Sequence, residues 1–307
     1  MSAAVKSRTR PPVLVHLFTV LLLLSMYLPG RRGAGEDGPL CMTVAVVLIY
    51  LAVLHGLFRG RSPRTAGDIG AILFLALLVW QVCTTRLGMG HIILTPTPEA
   101  VFSVFREQWA LMLRGVGSSL SLLGIGFAIS IPLGTALGLW AGWNPRLRGT
   151  LVPMGRVLSP IPAIIYAPYL IALMPSFRSA SATVLVIGIF WPTFLQMVGR
   201  VASLDGAIID SARVLGLSQR ELLFQVFLPW VFPGVLSGLR SSLSSAFMLL
   251  TLAEMMGARS GLGYFIRNFA DYANYTNVVA GIILVALVIT LLNRGVTALE
   301  RRLIRWR

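Results

Sequence analysis

The sequence predicts an all-α fold, a polytopic membrane helix bundle of about eight spans. Three observations carry that expectation. Hydrophobic residues make up 56% of the 307 and charged residues only 12%, whereas about a quarter of a soluble domain is charged. Several apolar runs approach the ~20 residues that a helix needs to cross a bilayer. These runs lack the sustained polar alternation of a transmembrane barrel strand.

The spans fall at about 13–28, 40–58, 68–85, 115–141, 151–173, 182–198, 228–250 and 278–292. The first follows Lys6, Arg8 and Arg10, as the apolar core of a signal peptide would. No small-x-small cleavage pattern follows Leu28 and more spans come after it, so it reads as a retained anchor. The net charge is +15, but the arginines sit at the ends of apolar runs and form no basic stripe interleaved with aromatics. That distribution argues against nucleic acid and for membrane topology. With the N-terminus inside, the cytoplasmic segments hold Lys6, Arg8 and Arg10; Arg59, Arg61 and Arg64; Arg146, Arg148 and Arg156; Arg200, Arg213 and Arg220; and the arginines from Arg294 onward. The opposite side holds roughly half as many, among them Arg31, Arg32, Arg178 and Arg259, together with the acids Glu36 and Asp37. Both termini are therefore expected in the cytoplasm, with the chain as a multi-pass protein of the inner (plasma) membrane. Cys41 and Cys83 have no CxxC spacing, and His16, His55 and His91 are scattered, so no metal site is expected.

Residues 1–65 read as a two-span N-terminal unit that ends in a basic stretch, and residues 66–307 as a longer unit. In the latter, Thr97-Pro98 suits the start of a short helix lying along the membrane surface, because proline is tolerated at a first helical position. The fourth span repeats Gly134, Gly138 and Gly142 on one face, a pattern that lets helix backbones approach closely in lipid. The fifth carries Pro153, Pro160, Pro162 and Pro168, which implies a broken or kinked helix. Such helices often line transport paths, which makes Pro160 and Pro162 candidate pathway residues; a purely structural kink is the competing reading.

The most informative segment is the loop 203–227 between the sixth and seventh spans. Asp205 suits a helix N-cap, Gly216 a left-handed terminus, and Ser218 with Glu221 forms an S-x-x-E capping box. Between them, Ile208, Ala212 and Leu215 fall at i, i+4 and i+7 with Ile209 beside them, an apolar stripe on a helix too short to be stable alone. The stripe must bury against something. Spacing leaves three partners open: the protein's own bundle, the lipid headgroup surface, or a groove on a soluble subunit.

The pattern Asp210-Ser211-Ala212, three residues, Gly216, nine residues, Val226-x-Leu228-Pro229 resembles the EAA loop of bacterial ABC importer permeases at every offset. Leu94-Thr-Pro-Thr-Pro98, Ser159-Pro-Ile-Pro162, Ala253-Glu254-Met255, Ser260-Gly-Leu-Gly263 and the tail from Leu299 to Trp306 are similar to the nitrate, sulfonate and taurine branch of that family. The likeness covers roughly residues 68–307 and departs from the branch at 173–178, where Phe-Gly-x-Gly is common. It implies a type I ABC importer permease core with two extra N-terminal spans. It implies further a second permease copy, an ATP-binding subunit on the cytoplasmic side and a solute-binding protein outside. Ile208, Ile209, Asp210, Ser211, Ala212, Leu215, Gly216 and Leu217 would form the ATPase-coupling loop, joined to the next span at Pro229.

The chain has no G-x-x-x-x-G-K-[ST] loop, so it is expected to be no enzyme and to bind no cofactor, with ATP-Mg used by the partner. Charges at membrane depth are costly and usually face protein or water. Arg240 would suit a planar oxyanion, or pair with backbone carbonyls. Ser241 and Ser244 beside it and Glu254 further on complete the candidate pathway set. A solute of another class, or a stand-alone secondary transporter, is the alternative; the latter would need buried relay residues and often two related halves, and no internal repeat is evident.

Overall fold

The computed structural model of the chain describes residues 13–32, 38–59 and 63–303. Lys6, Arg8, Arg10, Glu36, Asp37, Arg61 and the tail beyond Leu303 lie outside the described residues. Every regular element among the described residues is helical. Six helices are long and apolar enough to cross a membrane, one further pair does so with an 82° bend, and Val13–Tyr27 is a shorter apolar helix. The expected spans thus resolve into three kinds of element. The first, α1 (Val13–Tyr27), has 15 residues and rises about 22 Å, less than a hydrocarbon core of about 30 Å.

Packing divides the chain into two compact units, one running to Leu111 and including Asn268–Ile282, the other Met112–Arg267 with the chain from Ile283 onward. In the first unit, α1 packs with α2 (Gly38–Arg59) and α3 (Pro63–Gln81) around Leu22, Met42, Val46 and Phe74, all fully buried. At Gly70 α3 lies close against α2; a Cβ there would meet Val53 at 2.6 Å. The short helix α4 (Pro98–Glu107) opens with proline at its first turn after Thr97, as its sequence requires. Its buried Glu99 is not left unsatisfied: Gln81 donates to one carboxylate oxygen and Thr85 donates to the other at 2.9 Å.

The second unit is organised by two long helices, α8 (Phe177–Ala202) and α11 (Leu228–Gly257). Before them come α5 (Trp109–Trp143), α6 (Pro145–Leu158) and α7 (Ala167–Leu173). The glycine face of α5 lies against α8. A Cβ on Gly134 would meet Thr193 at 3.1 Å, on Gly138 would meet Met197 at 2.6 Å and on Gly142 would meet Val201 at 2.6 Å. The partner positions rise in step, so the two helices run parallel, and the glycines serve the close packing that the sequence suggested. Between α6 and α7, Pro160 and Pro162 withhold backbone donors, and the chain turns through 82° although Ser159 itself stays helical at φ −62, ψ −39. A 3₁₀ turn, Ala163–Tyr166, restarts the helix.

After α8 come α9 (Gly206–Val214) and α10 (Gln219–Glu221). A π-helical turn, Leu222–Phe227, then runs directly into α11, so that Gln219–Gly257 is one continuous rod. The π turn has a cause. Pro229 has no N–H for the carbonyl four residues back, and a widened turn relieves the clash between its ring and that carbonyl. The last helices are α12 (Leu262–Asp271) and α13 (Tyr275–Leu303).

Candidate functional site

Three features lie along the α8–α11 pair of the second unit. At the first end, where α8 finishes and α11 begins, α9 is fixed by local bonds. The Asp205 side chain accepts from the Ala207 N–H at 3.0 Å and closes its N-terminus. Gly216 has φ +80 and ends it in the left-handed conformation. There the Leu217 N–H donates to the Ala212 carbonyl at 3.2 Å and the Gly216 N–H to the Arg213 carbonyl at 2.9 Å, a Schellman motif. Ser218 and Glu221 form the expected reciprocal box: the Ser218 N–H donates to Glu221 Oε2 at 2.7 Å, and the Glu221 N–H donates to Ser218 Oγ at 3.3 Å.

The apolar stripe on α9 splits between two environments. Ala212 is 7% exposed, and Ile209 is half-buried in a cluster with Leu204, Phe227 and Val231. Arg213 places its guanidinium 5.7 Å from the Trp143 ring centre, and Trp143 packs edge-on against Phe227 at 4.9 Å. The protein's own bundle therefore takes one edge of the helix. On the other edge Leu215 is 79% exposed and Val214 87% exposed, with Ile208 also open. Ile208, Ser211 and Leu215 line, with Leu217 and Val226, an open depression of ≈ 500 Å³. Asp210 lies 3.7 Å from Arg213, a pair exposed enough to contribute little. Ser211 Oγ donates back to the Ala207 carbonyl, and Pro229 is exposed at the start of α11.

Midway along the pair, at the proline break, a notch of ≈ 260 Å³ is lined by Ser159 and Pro162, by Gly188 and Pro192 of α8, and by Ser241, Ser242 and Ser245 of α11. Gly188 holds α11 close; a Cβ there would meet Leu249 at 2.5 Å. Of the expected pathway residues, the structure brings Pro162 and Ser241 together here. Pro160 and Arg240 are exposed and do not line the notch, and Ser244 instead accepts from Asn293 Nδ2 at 3.3 Å.

At the far end Glu254 is 1% exposed and ties a turn to the bundle. Ser119 Oγ donates to its Oε1 at 2.7 Å, the Gly263 N–H donates to its Oε2 at 2.8 Å, and the Leu262 N–H donates to Ser119 Oγ at 2.9 Å. Gly261 has φ +127, and any Cβ on it would run into that carboxylate. Trp143, Gly188 and Ser119 have no local sequence signal for these roles; their partners are distant in the chain.

The family of binding-protein-dependent transport system inner membrane components matches residues 131–305. The chain belongs to this family. The permease is 30% identical over 236 residues to the putative aliphatic sulfonates transport permease SsuC of Bacillus subtilis, covering 75% of this chain and 84% of the relative. It is 28% identical to the taurine transport system permease TauC of Escherichia coli, covering 80% and 91%. To the nitrate import permease NrtB of Synechocystis it is 25% identical, covering 78% and 89%. Among solved structures, a chain of a bacterial ABC transporter involved in import of the acidic polysaccharide alginate superposes with TM-score 0.57 at 15% identity, covering 88% of this chain and 98% of that one. A chain of the inward-facing MetNI methionine ABC transporter gives 0.50 at 22%, covering 62% and 97%. These two show the fold. The permease is an ABC-importer membrane component and not an enzyme; it is a multi-pass membrane protein.

Proposed function

We propose that this permease imports a small anionic solute by alternating access, driven by a separate ATP-binding subunit that docks on α9. The observation that carries the docking half is the division of α9: one edge is anchored to the bundle, while Ile208, Val214 and Leu215 stay open beside a depression. A helix of nine residues is marginal alone, so its rigid anchoring makes sense as a lever that a partner pushes. Gln219–Gly257 is one continuous helical run that starts four residues after α9, so displacement at α9 is passed through that short connection toward the serine notch.

The surrounding assembly follows from the same reading. The α9 end faces the cytoplasm with both termini, consistent with Arg200, Arg213 and Arg220 clustering there. A solute-binding protein delivers at the opposite end, and a second copy of the chain completes the path within the lipid. ATP-Mg is used by the partner and no cofactor is held by this chain. Residues 1–65 form an extension to a core of 66–307. The anionic class is supported by the names of the sulfonate, taurine and nitrate relatives. The notch itself offers hydroxyl groups and backbone, with no charged side chain among its lining residues.

The test is co-purification of the ATP-binding subunit with the permease, together with uptake in reconstituted vesicles. Leu215→Glu should abolish both while the permease elutes and unfolds as wild type. Retention of the subunit and of ATP-driven uptake by that variant would remove the docking assignment.

A further inference from the structure

The geometry points to an anion-receiving site at the end of the α8–α11 pair remote from α9, built from Arg178, Arg259 and the hydroxyls of Ser118 and Ser260. It deepens the proposal of an anion importer and rests on that reading. A cavity of ≈ 590 Å³ opens there, between the start of α8 and the end of α11, and no carboxylate is among its lining residues. That size falls within the range of small-molecule sites.

The two arginines are held differently. Arg178 Nη2 donates to Ser121 Oγ at 2.8 Å, which steadies its guanidinium. Arg259 makes no hydrogen bond or ion pair among the described residues, so its five donors are uncommitted. Ser118 and Ser260 share a hydrogen bond at 2.8 Å across the cavity, bringing two hydroxyls to one spot. Beside them α8 begins with Ser176 as its cap, and 26 helical residues direct the positive end of their dipole toward the cavity. The one acid nearby in sequence, Glu254, is buried with both oxygens occupied by Ser119 and Gly263 and does not line the opening.

Two guanidiniums around a concave space with no counter-charge repel each other until an anion enters. Guanidinium forks match planar and tetrahedral oxyanions in bidentate fashion, and the one hydroxyl hydrogen left free by the Ser118–Ser260 pair supplies a further donor. The site lies about 39 Å from α9, the length of α8, so a solute held here is on the opposite side of the membrane from the coupling helix. The chemistry fits a sulfonate, a carboxylate or nitrate, and a lipid phosphate shares it. The experiment separates these sources.

The full-length permease, purified in neutral detergent, is titrated with butanesulfonate at constant ionic strength while its thermal unfolding is followed. Butanol serves as the uncharged control, and the titration is repeated in nanodiscs of phosphatidylcholine with and without phosphatidylglycerol. The expected result is a saturable rise in Tm with butanesulfonate and none with butanol. The apparent affinity should fall at least 10-fold in the Arg178→Gln/Arg259→Gln double variant and stay unchanged in Arg148→Gln, an exposed arginine of α6. Arg259→Gln alone removes no hydrogen bond of the fold, so its loss of affinity supports the site even if the double variant is unstable. An unaltered titration in Arg259→Gln overturns the inference, as does a response seen only with phosphatidylglycerol present. Failure of the broader reading looks different: reconstituted wild-type permease with its ATP-binding subunit would then show no ATP-driven uptake of anionic solutes, whatever the binding titration gives.

Discussion

The two ends of the α8–α11 pair solve opposite problems. At the Glu254 end a carboxylate is buried, and every donor around it is matched within the chain: Ser119, Gly263 and, through Ser119, Leu262. At the α9 end the polar caps are satisfied, yet the apolar residues Val214 and Leu215 are left in the open. A region that completes its own bonding is a fixed point. A region that completes its polar bonding but exposes apolar surface is shaped to be completed by something else.

The largest expected effect comes from breaking the fixed end. Glu254→Ala would strand buried donors of Ser119 and Gly263, costing roughly 2–5 kcal/mol. Thermal unfolding in detergent should show a fall in Tm of several degrees, and Glu254→Gln, which keeps one acceptor, should fall less. Equal losses for the two variants would mean that volume, not hydrogen bonding, matters there.

Gly216→Val tests the cap of α9. A β-branched residue at φ +80 costs about 1–3 kcal/mol of local backbone energy. The α9 amides should exchange with solvent faster by roughly 10-fold or more, while the global Tm changes by much less than in Glu254→Ala. A matching drop in global Tm would show that α9 is part of the fixed core after all.

Leu215→Glu separates stability from assembly. The residue is 79% exposed, so its exchange for a charge should move stability by less than about 0.5 kcal/mol while the ATP-binding subunit no longer co-purifies. The smallest effect belongs to Arg213→Ala. Loss of an exposed cation–π contact with Trp143 is worth about 0.5–1 kcal/mol, which corresponds to roughly 2- to 5-fold faster amide exchange within α9. No change at all would place the anchoring of α9 in Ile209 and Ala212 alone.

Much of the α9 region was legible because capping is a short-range affair. Asp205, Gly216, Ser218 and Glu221 each act on backbone within a few residues, and all four act as their spacing predicts. The proline break was legible for the same reason, since Pro160 and Pro162 alter their own backbone. The stripe on α9 was legible as apolar but not as divided, because which edge of a helix is covered depends on Trp143 and Phe227 from other elements. The uses of Glu254, Arg178 and Arg259 were hidden too; each depends on residues that arrive from elsewhere in the chain. In the N-terminal region, the two-span unit read from charge and hydropathy packs with α3 and α4 in one core, since Phe74 and Phe102 close it from further along the chain.

The sequence by itself determined the helical class, the membrane setting, the broken fifth span and the capped rod before α11. These follow from composition and from forces that reach no further than a helical turn. Only the tertiary structure decided that α9 keeps an open apolar edge, that the serines of α11 meet Pro162 across Gly188, and that two distant arginines share one cavity. Burial and convergence arise from packing between elements remote in sequence, and no spacing along a single strand of chain encodes which of them will meet.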